Sequence, residues 1–280
     1  MSALLQHVTL TCFGLSYLLA LGLELTRLKW PRRELRYAGL ALGTIGLFTH
    51  SAYLVVHHPT PARPFGALLS LAWVLAVFYL YGSLHHPKQV WAVFVLPVVL
   101  GLVALAVLFV PGSESDVEID GPSWLLGDHI WGAVHGILLL CAAVGISVGF
   151  LASTMYLVQA NRLRNKVNPL SRFKMLSLER LEAMNRRAVN LSFPLLTLGL
   201  LLGTVLLRRY HDLSENWLSL KVLGTVGLWV VFLVLMYLRY ATHVPGRRLA
   251  VLTMIAFGLM MVVLVSAHPF AQAAVGEGTP

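Results

Sequence analysis

The chain alternates long apolar blocks with short polar stretches that carry charge, proline or glycine. Eight apolar blocks are each long enough, at about 20 residues, to cross the hydrocarbon core of a bilayer as an α-helix. Lipid offers the backbone no hydrogen-bonding partner, so a spanning segment must satisfy its own polar groups, which favours helices. The predicted spans are residues 3–25, 37–56, 66–84, 89–110, 129–158, 188–207, 217–238 and 249–268. The pattern therefore predicts an all-α, polytopic membrane helical bundle with about eight transmembrane helices.

The basic residues indicate the orientation of this bundle. Alternate loops, starting with the one after the first span, hold 17 of the 21 Lys and Arg residues, and the rest of the chain holds four. Cytoplasmic loops of membrane proteins carry an excess of Lys and Arg. We therefore expect the basic loops in the cytoplasm and both termini on the extracytoplasmic side. No small-residue cleavage site precedes Glu24, so the first block is interpreted as a retained span rather than a signal peptide.

Composition supports a membrane protein and gives no sign of a separate soluble domain. Hydrophobic residues make up 58% of the chain and charged residues 12%, about half of the charge usual in a soluble domain. The formal charge of +9 lies in the loops, so membrane topology explains it without a nucleic-acid partner. Residues 1–280 are interpreted as one membrane domain with an acidic extracytoplasmic loop at 111–128, a basic cytoplasmic loop at 161–187 and a C-terminal tail at 269–280.

The basic loop contains the start of a helix. Ser177 precedes Leu-Glu-Arg-Leu-Glu, so its hydroxyl can cap a short helix whose first turn carries Glu179. We expect this segment to lie along the inner membrane surface, where its basic residues contact anionic lipid or, alternatively, a protein partner.

Histidine is the residue type whose placement points to chemistry. Eight of the 11 histidines lie in the outer halves of predicted spans or in outer loops. A polar ring in hydrocarbon is costly unless it meets a cavity, a partner or a ligand, and imidazole is a common axial ligand of haem iron. His50 and His135 lie deepest, and a ligand role and a plain hydrogen-bonded role are both open for them. We expect several of these rings to converge on one pocket that opens outward.

Other catalytic and metal-binding patterns are missing from the sequence. It contains no HExxH motif, no zinc-type Cys/His spacing, no EF-hand, and no Walker A, GxSxG or GxGxxG motif. No nucleophile and base can be paired, and no Asp or Glu lies in the middle of a predicted span, where a proton-coupled transporter needs one. Ordinary catalysis and proton-coupled transport are therefore poorly supported.

The tryptophans allow two interpretations. Most of the seven lie near predicted membrane interfaces, as expected of an aromatic belt. Trp124 and Trp131 lie close to His129 and His135 in the sequence, so they could also form an apolar shelf for a flat porphyrin.

Several short motifs occur in an order that resembles a known family. Span 2 contains Gly46-Leu-Phe-Thr-His50, span 5 contains Val134-His135, and the cytoplasmic segment leads into Phe193-Pro-Leu-Leu-Thr-Leu-Gly199 and then Gly203. This succession, from about span 2 to the end of the chain, is similar to the cytochrome c assembly family of haem-handling membrane proteins, the CcsA/HemX type.

The resemblance implies a function and a set of ligands. Members of that family present haem on the extracytoplasmic side to an apocytochrome c, with histidines as axial ligands. Carried over to this chain, the iron ligands are His135 first, His50 second and His268 third, with haem b as the cofactor. Arg208 and Arg209 could pair with the haem propionates, since guanidinium matches carboxylate geometry. The alternative is that both arginines only extend to the headgroups at the end of span 6.

The sequence departs from that family in its tryptophan-rich outer segment. With the seventh span aligned on Trp229, the positions where Trp, Trp and Asp are expected hold Asn216, Leu218 and Ser219. The departure points towards the HemX-like branch, whose members are linked to haem biosynthesis or to less defined assembly roles.

Two functions are therefore predicted. The first is haem binding and handling in c-type cytochrome biogenesis, in a bacterial cytoplasmic membrane, with a membrane assembly partner and apocytochrome c as partners. The alternative is a non-catalytic HemX-like regulator or scaffold that acts through the loop 161–187 on an enzyme of haem biosynthesis or an assembly partner. Neither hypothesis requires an enzymatic activity.

Overall fold

The chain folds into a bundle of long helices. The computed structural model describes residues 10–59, 64–85, 90–109, 128–165, 175–210, 220–241 and 245–266. In these ranges the backbone forms eight helices and no strand: α1 Leu10–Lys29, α2 Arg33–His57, α3 Pro64–His85, α4 Ala92–Phe109, α5 Asp128–Arg164, α6 Leu178–Tyr210, α7 Leu220–Ala241 and α8 Gly246–Val265. Helices α2, α3, α5, α6, α7 and α8 are long and apolar enough to cross a membrane, and α4 contains a shorter apolar stretch. The predicted polytopic helical bundle is confirmed.

Helices α5 and α6 are longer than a bilayer requires. They contain 37 and 33 residues, which at 1.5 Å per residue gives lengths of about 55 and 50 Å against a hydrocarbon core of about 30 Å. Ser177 caps α6 as expected, because its hydroxyl oxygen accepts a hydrogen bond from the Arg180 backbone N–H at 3.4 Å. The expected short surface helix is instead the first part of α6. Residues 178–187 contain neither proline nor glycine, so nothing interrupts the helix before the apolar span begins.

The helices pack as two groups of four. In the first group α1 packs on α2 and α4, and α3 packs on α2 and α4; in the second, α5 packs on α6 and α8, and α7 packs on the same two helices. The groups meet where α3 and α4 contact α5 and α8. Helices α2 and α6 therefore lie on opposite sides of the bundle, away from the contact between the groups.

Glycines on α2 allow its neighbours to approach closely. A Cβ atom at Gly43 would lie 2.6 Å from Cε1 of Tyr79 on α3, and a Cβ at Gly46 would lie 2.7 Å from Cε1 of Tyr17 on α1. Both tyrosines are fully buried. Small residues are a common means of close helix contact in membranes, where packing replaces the hydrophobic effect.

One polar side chain ties the second group together. The two N–H groups of the Asn185 amide, on α6, are shared among three acceptors, the Gly149 carbonyl oxygen at 3.2 Å, Ser153 Oγ at 2.8 Å and Thr253 Oγ1 at 3.2 Å. Its oxygen accepts a hydrogen bond from Arg239 Nη2, on α7, at 2.6 Å. The partners belong to α5, α7 and α8, so this residue joins all four helices of its group.

Candidate functional site

His50 lies in an aromatic enclosure between α1 and α2. The residue has no exposed surface. Its imidazole stacks on the Phe13 ring with parallel planes and centroids 4.1 Å apart, and its Nδ1 lies 3.5 Å from the Tyr17 hydroxyl. Because Gly46 lies one turn before His50 on α2, the Tyr17 ring can approach closely enough to make this contact. The sequence placed His50 in a span correctly, but the aromatic rings around it come from another helix.

The second ring nitrogen of His50, Nε2, differs from Nδ1 in its surroundings. Nε2 is buried and has no hydrogen-bond partner among the described residues. A buried polar atom without a partner costs about 1–3 kcal/mol, and such atoms mark places where a ligand, an ion or a water belongs. The nitrogen opposite Tyr17 is therefore the atom of this enclosure that could bind a metal centre.

His135 is oriented by α6. Its Nδ1 lies 2.8 Å from the Gly199 carbonyl oxygen. A carbonyl oxygen only accepts hydrogen bonds, so Nδ1 carries the proton, and in the neutral ring the lone pair then lies on Nε2. Metal-binding histidines commonly have this arrangement, in which the outer N–H donates to a carbonyl and thereby fixes the tautomer and the ring orientation.

Close packing on α6 maintains this orientation. A Cβ atom at Gly203 would lie 2.7 Å from Cε1 of His135, a distance that side chains do not tolerate. Gly199 and Gly203 are one turn apart and therefore lie on one face of α6. Gly203 accommodates the imidazole because it has no side chain, whereas a Cβ at Gly199 would meet Leu139 Cδ2 at 2.7 Å.

Trp131 and Arg208 are the other predicted contributors whose side chains the structure describes. Trp131 precedes His135 by one turn of α5 and is 54% exposed, so it is on the same side of the helix and open to the surroundings. Arg208 is exposed; at 100° per residue it is turned about 140° away from Gly203, away from the face that holds His135. The side chain of Arg209 and the whole of His268 lie outside the described residues.

His50 and His135 do not share a pocket in the part of the chain that the structure describes. His50 faces α1 within the first group of helices, whereas His135 faces α6 within the second, and α2 packs on neither α5 nor α6 to any substantial extent. A groove of about 440 Å³ between α5 and α8 contains neither ring. Either imidazole could donate a nitrogen lone pair to an iron atom, but the described residues do not show the single shared pocket expected from the sequence.

Two tryptophans lie near the middle of their helices rather than at the ends, where an aromatic belt would place them. The Trp73 indole N–H donates to Ser51 Oγ at 2.8 Å, and the Trp229 indole N–H donates to Thr197 Oγ1 at 3.0 Å. Each bond joins two helices, α3 with α2 and α7 with α6. Their position near the middle of a predicted span could have indicated these bonds from the sequence, because a buried indole N–H needs a hydrogen-bond partner.

Comparison with known proteins identifies the family. The family model described as cytochrome C assembly protein matches residues 62–268, nearly three quarters of the chain. The chain is 23% identical over 237 residues to the cytochrome c biogenesis protein CcsA of Synechococcus elongatus, covering 70% of this chain and 72% of that protein. It is 20% identical over 226 residues to CcsA of Mesostigma viride, covering 74% of this chain and 73% of that protein.

The remaining comparisons are consistent with that assignment. CcsA of Synechococcus sp. strain JA-2-3B'a(2-13) is 24% identical over 252 residues, which cover 70% of this chain and 71% of that protein. These relatives are all CcsA proteins, so they give no support to the HemX-like branch that the altered tryptophan segment suggested. No solved structure matches the chain. The extent of the family match shows that this multi-pass membrane protein belongs to the cytochrome c assembly protein family.

Proposed function

We propose that this chain binds and handles haem during the biogenesis of c-type cytochromes, with His135 as its principal iron ligand. Membership of the cytochrome c assembly family and the CcsA relatives support the biological role. The observation that carries the ligand assignment is the 2.8 Å hydrogen bond between His135 Nδ1 and the Gly199 carbonyl oxygen. It fixes the tautomer whose Nε2 lone pair an iron atom requires.

The protein's own residues would orient the haem ligand and surround it. If haem b binds, its iron would be the metal that the histidine imidazoles of this chain hold. Gly199 and Gly203 hold the His135 ring in one orientation, and Trp131, one turn away, offers an apolar surface. Arg208 and Arg209 are proposed to meet the propionates, and His268 is proposed as a third ligand.

His50 is proposed as a separate ligand position within the first group of helices. Phe13 and Tyr17 exclude water from its ring, and its buried Nε2 has no hydrogen-bond partner among the described residues. Since His50 and His135 face different helices, each would serve its own step of haem handling rather than ligate one iron together.

The proposed setting is a bacterial cytoplasmic membrane, with the haem delivered to apocytochrome c on the extracytoplasmic side. A membrane protein of the same assembly system is the proposed partner. The bias of Lys and Arg towards one set of loops supports this orientation.

Haem content of the purified protein tests the proposal. Wild type, His135→Ala and the control His85→Ala would be expressed with added haem precursor, and bound haem measured as the pyridine haemochrome. His85 is an exposed histidine whose ring contacts only its own helix in the described structure, through Tyr81. We expect His135→Ala to lose about tenfold or more of the haem, the usual scale for a disrupted metal site, and His85→Ala to lose none. Haem-free wild-type protein would refute the proposal.

The alternative, a scaffold that binds no haem, has one observation in its favour. Helices α5 and α6 extend beyond the thickness of the hydrocarbon core, and the exposed Arg180, Arg186 and Arg187 lie on the protruding part of α6. Neutralising these three arginines and, separately, replacing His135 with alanine would distinguish the two functions in cells. Under haem handling only the His135 variant lowers the level of mature c-type cytochromes; under the scaffold function only the arginine variant does.

A further inference from the structure

A groove between α5 and α8 lies at the end of the bundle that carries the basic loops. It has a volume of about 440 Å³, within the range of small-molecule sites. Its lining residues are Leu157, Val158, Ala160, Asn161, Arg164, Arg247 and Val251. The part of the groove nearer the middle of the bundle is apolar. At its other end lie Arg164 of α5 and Arg247 of α8.

Helix geometry explains why the groove exists. Helices α5 and α8 are in close contact where a Cβ at Gly149 would lie 3.2 Å from Thr253 Cγ2 and where Phe150 stacks on Phe257 at 4.1 Å. From that contact α5 continues for 15 residues to Arg164, whereas α8 begins only seven residues before Thr253. At 1.5 Å per residue α5 therefore extends about 12 Å further than α8 beyond this contact. One side of its last turns is left uncovered by α8.

The residues of this uncovered side form a stripe. Positions 157, 158, 161 and 164 recur at helical spacing on one face of α5, and positions 247 and 251 do so on α8. Val158 and Val251 are 37% and 44% exposed. An apolar face open to the surroundings near the end of a membrane span contacts acyl chains, while arginines beyond it lie at headgroup depth.

The charge at the groove mouth is positive. Arg164 and Arg247 are exposed, Arg248 follows directly, and no acidic residue is part of the lining. The adjoining segments 166–174 and 242–244 contain Lys166, Arg172 and Lys174 but no Asp or Glu.

A carboxylate does lie nearby. Glu182 Oε2, on α6, would be 3.4 Å from a Cβ at Gly246, so it approaches the first residue of α8 from the α6 side. It is not part of the groove lining. One carboxylate against Arg164, Arg247 and Arg248 leaves the mouth with an excess of positive charge.

We propose that this groove binds one anionic phospholipid from the inner leaflet. Arg164 and Arg247 hold its phosphate, and the upper part of an acyl chain lies on Val158 and Val251. Guanidinium groups match phosphate geometry, and basic pockets between membrane helices on the cytoplasmic side are typical sites for acidic lipid headgroups. The lipid would fill the side of α5 that α8 leaves uncovered, and so join the two helices where their direct contact ends. The site is independent of haem.

Lipid retention measured by native mass spectrometry tests the proposal. The full-length protein in detergent would be titrated with dioleoyl phosphatidylglycerol or dioleoyl phosphatidylcholine, in wild type, R164Q/R247Q and the control R32Q/R33Q. The control removes the same charge from two exposed arginines at the start of α2, outside the groove. We expect one tightly bound phosphatidylglycerol and no equivalent phosphatidylcholine. The groove variant should bind phosphatidylglycerol about thirtyfold more weakly, the factor that two arginines at a membrane surface provide. The control variant should bind phosphatidylglycerol as tightly as wild type does.

Two further measurements make the result decisive. Val251→Trp fills the groove without altering charge, so it should weaken binding even if the arginine variant does not fold. Excess inorganic phosphate should fail to displace the lipid, because it lacks the acyl chain. Equal binding of both lipids, equal losses in groove and control variants, or displacement by phosphate alone would overturn the proposal.

Discussion

The guanidinium of Arg239 donates a hydrogen bond to the side-chain oxygen of Asn185 across 2.6 Å. The same amide donates through its nitrogen to groups on α5 and α8. The orientation of the amide is set by these partners: the oxygen must face the guanidinium, and the nitrogen must face the carbonyl and hydroxyl oxygens. A single side chain thus links four helices by hydrogen bonds near one end of the bundle.

Replacing Asn185 with alanine should therefore destabilise the protein. The change leaves Ser153 and Thr253 without one partner each and removes the acceptor of a partly buried guanidinium. We expect a loss of about 2 kcal/mol, measured as thermal unfolding in detergent by circular dichroism. Asn165→Ala is the matched control, because Asn165 is exposed directly after α5 and lies outside the groove. Equal melting temperatures for the two variants would argue against a structural role for the Asn185 contacts.

Gly203→Ala should displace the His135 ring. The added methyl group would lie 2.7 Å from Cε1 of His135, so the imidazole must move and its bond to Gly199 must lengthen. Overpacking of this kind costs about 1–3 kcal/mol. We expect lower stability in thermal unfolding and less haem in the pyridine haemochrome assay.

The matched control for this change is Gly136→Ala, on α5 beside His135. A Cβ there would meet nothing within 4 Å, and alanine favours a helix by up to about 1 kcal/mol over glycine. Its stability and haem content should therefore be those of wild type or better. If both variants lose haem equally, the position of the His135 ring is not what haem binding depends on.

Gly46→Ala should open the enclosure of His50. Its methyl group would lie 2.7 Å from Cε1 and 2.9 Å from Cδ1 of Tyr17, which forces the phenol away from the His50 Nδ1 atom. Because α1 packs on α2 through this contact, we expect a loss of about 1–3 kcal/mol in thermal unfolding. Gly22→Ala on α1, where a Cβ meets nothing within 4 Å, should have no such effect. A Gly46→Ala protein as stable as wild type would show that α1 is not held by this packing.

The orientation predicted from the basic loops can be tested by labelling. In a background with Cys12→Ser and Cys141→Ser, a cysteine is introduced by Glu118→Cys in the acidic loop or by Asn168→Cys in the basic loop. A membrane-impermeant maleimide applied to intact spheroplasts should label position 118 and spare position 168 until the membrane is permeabilised. The opposite pattern would reverse the topology, since 17 of the 21 basic residues lie on the side of position 168.

Hydropathy alone predicted most of the helical architecture. Span 37–56 corresponds to α2 at Arg33–His57, and span 66–84 corresponds to α3 at Pro64–His85. A segment must be apolar for about 20 residues to lie in hydrocarbon, so each span can be recognised from its own stretch of sequence. The sequence predicted a helix start at Ser177 but missed that this helix continues unbroken into the apolar span at residue 188, because hydropathy reports burial in lipid and not helix continuity.

The sequence by itself determined the class of fold, the number of helices in the described ranges and the histidines worth testing. Only the tertiary structure decided that His50 stacks on Phe13 of α1 while His135 donates to Gly199 of α6, in separate groups of helices. The same holds for Asn185, whose partners come from three other helices. Helical periodicity specifies which residues share a face, but not which neighbouring helix that face meets. Helix pairing depends on packing of small and large side chains across the whole bundle, such as Gly203 against His135.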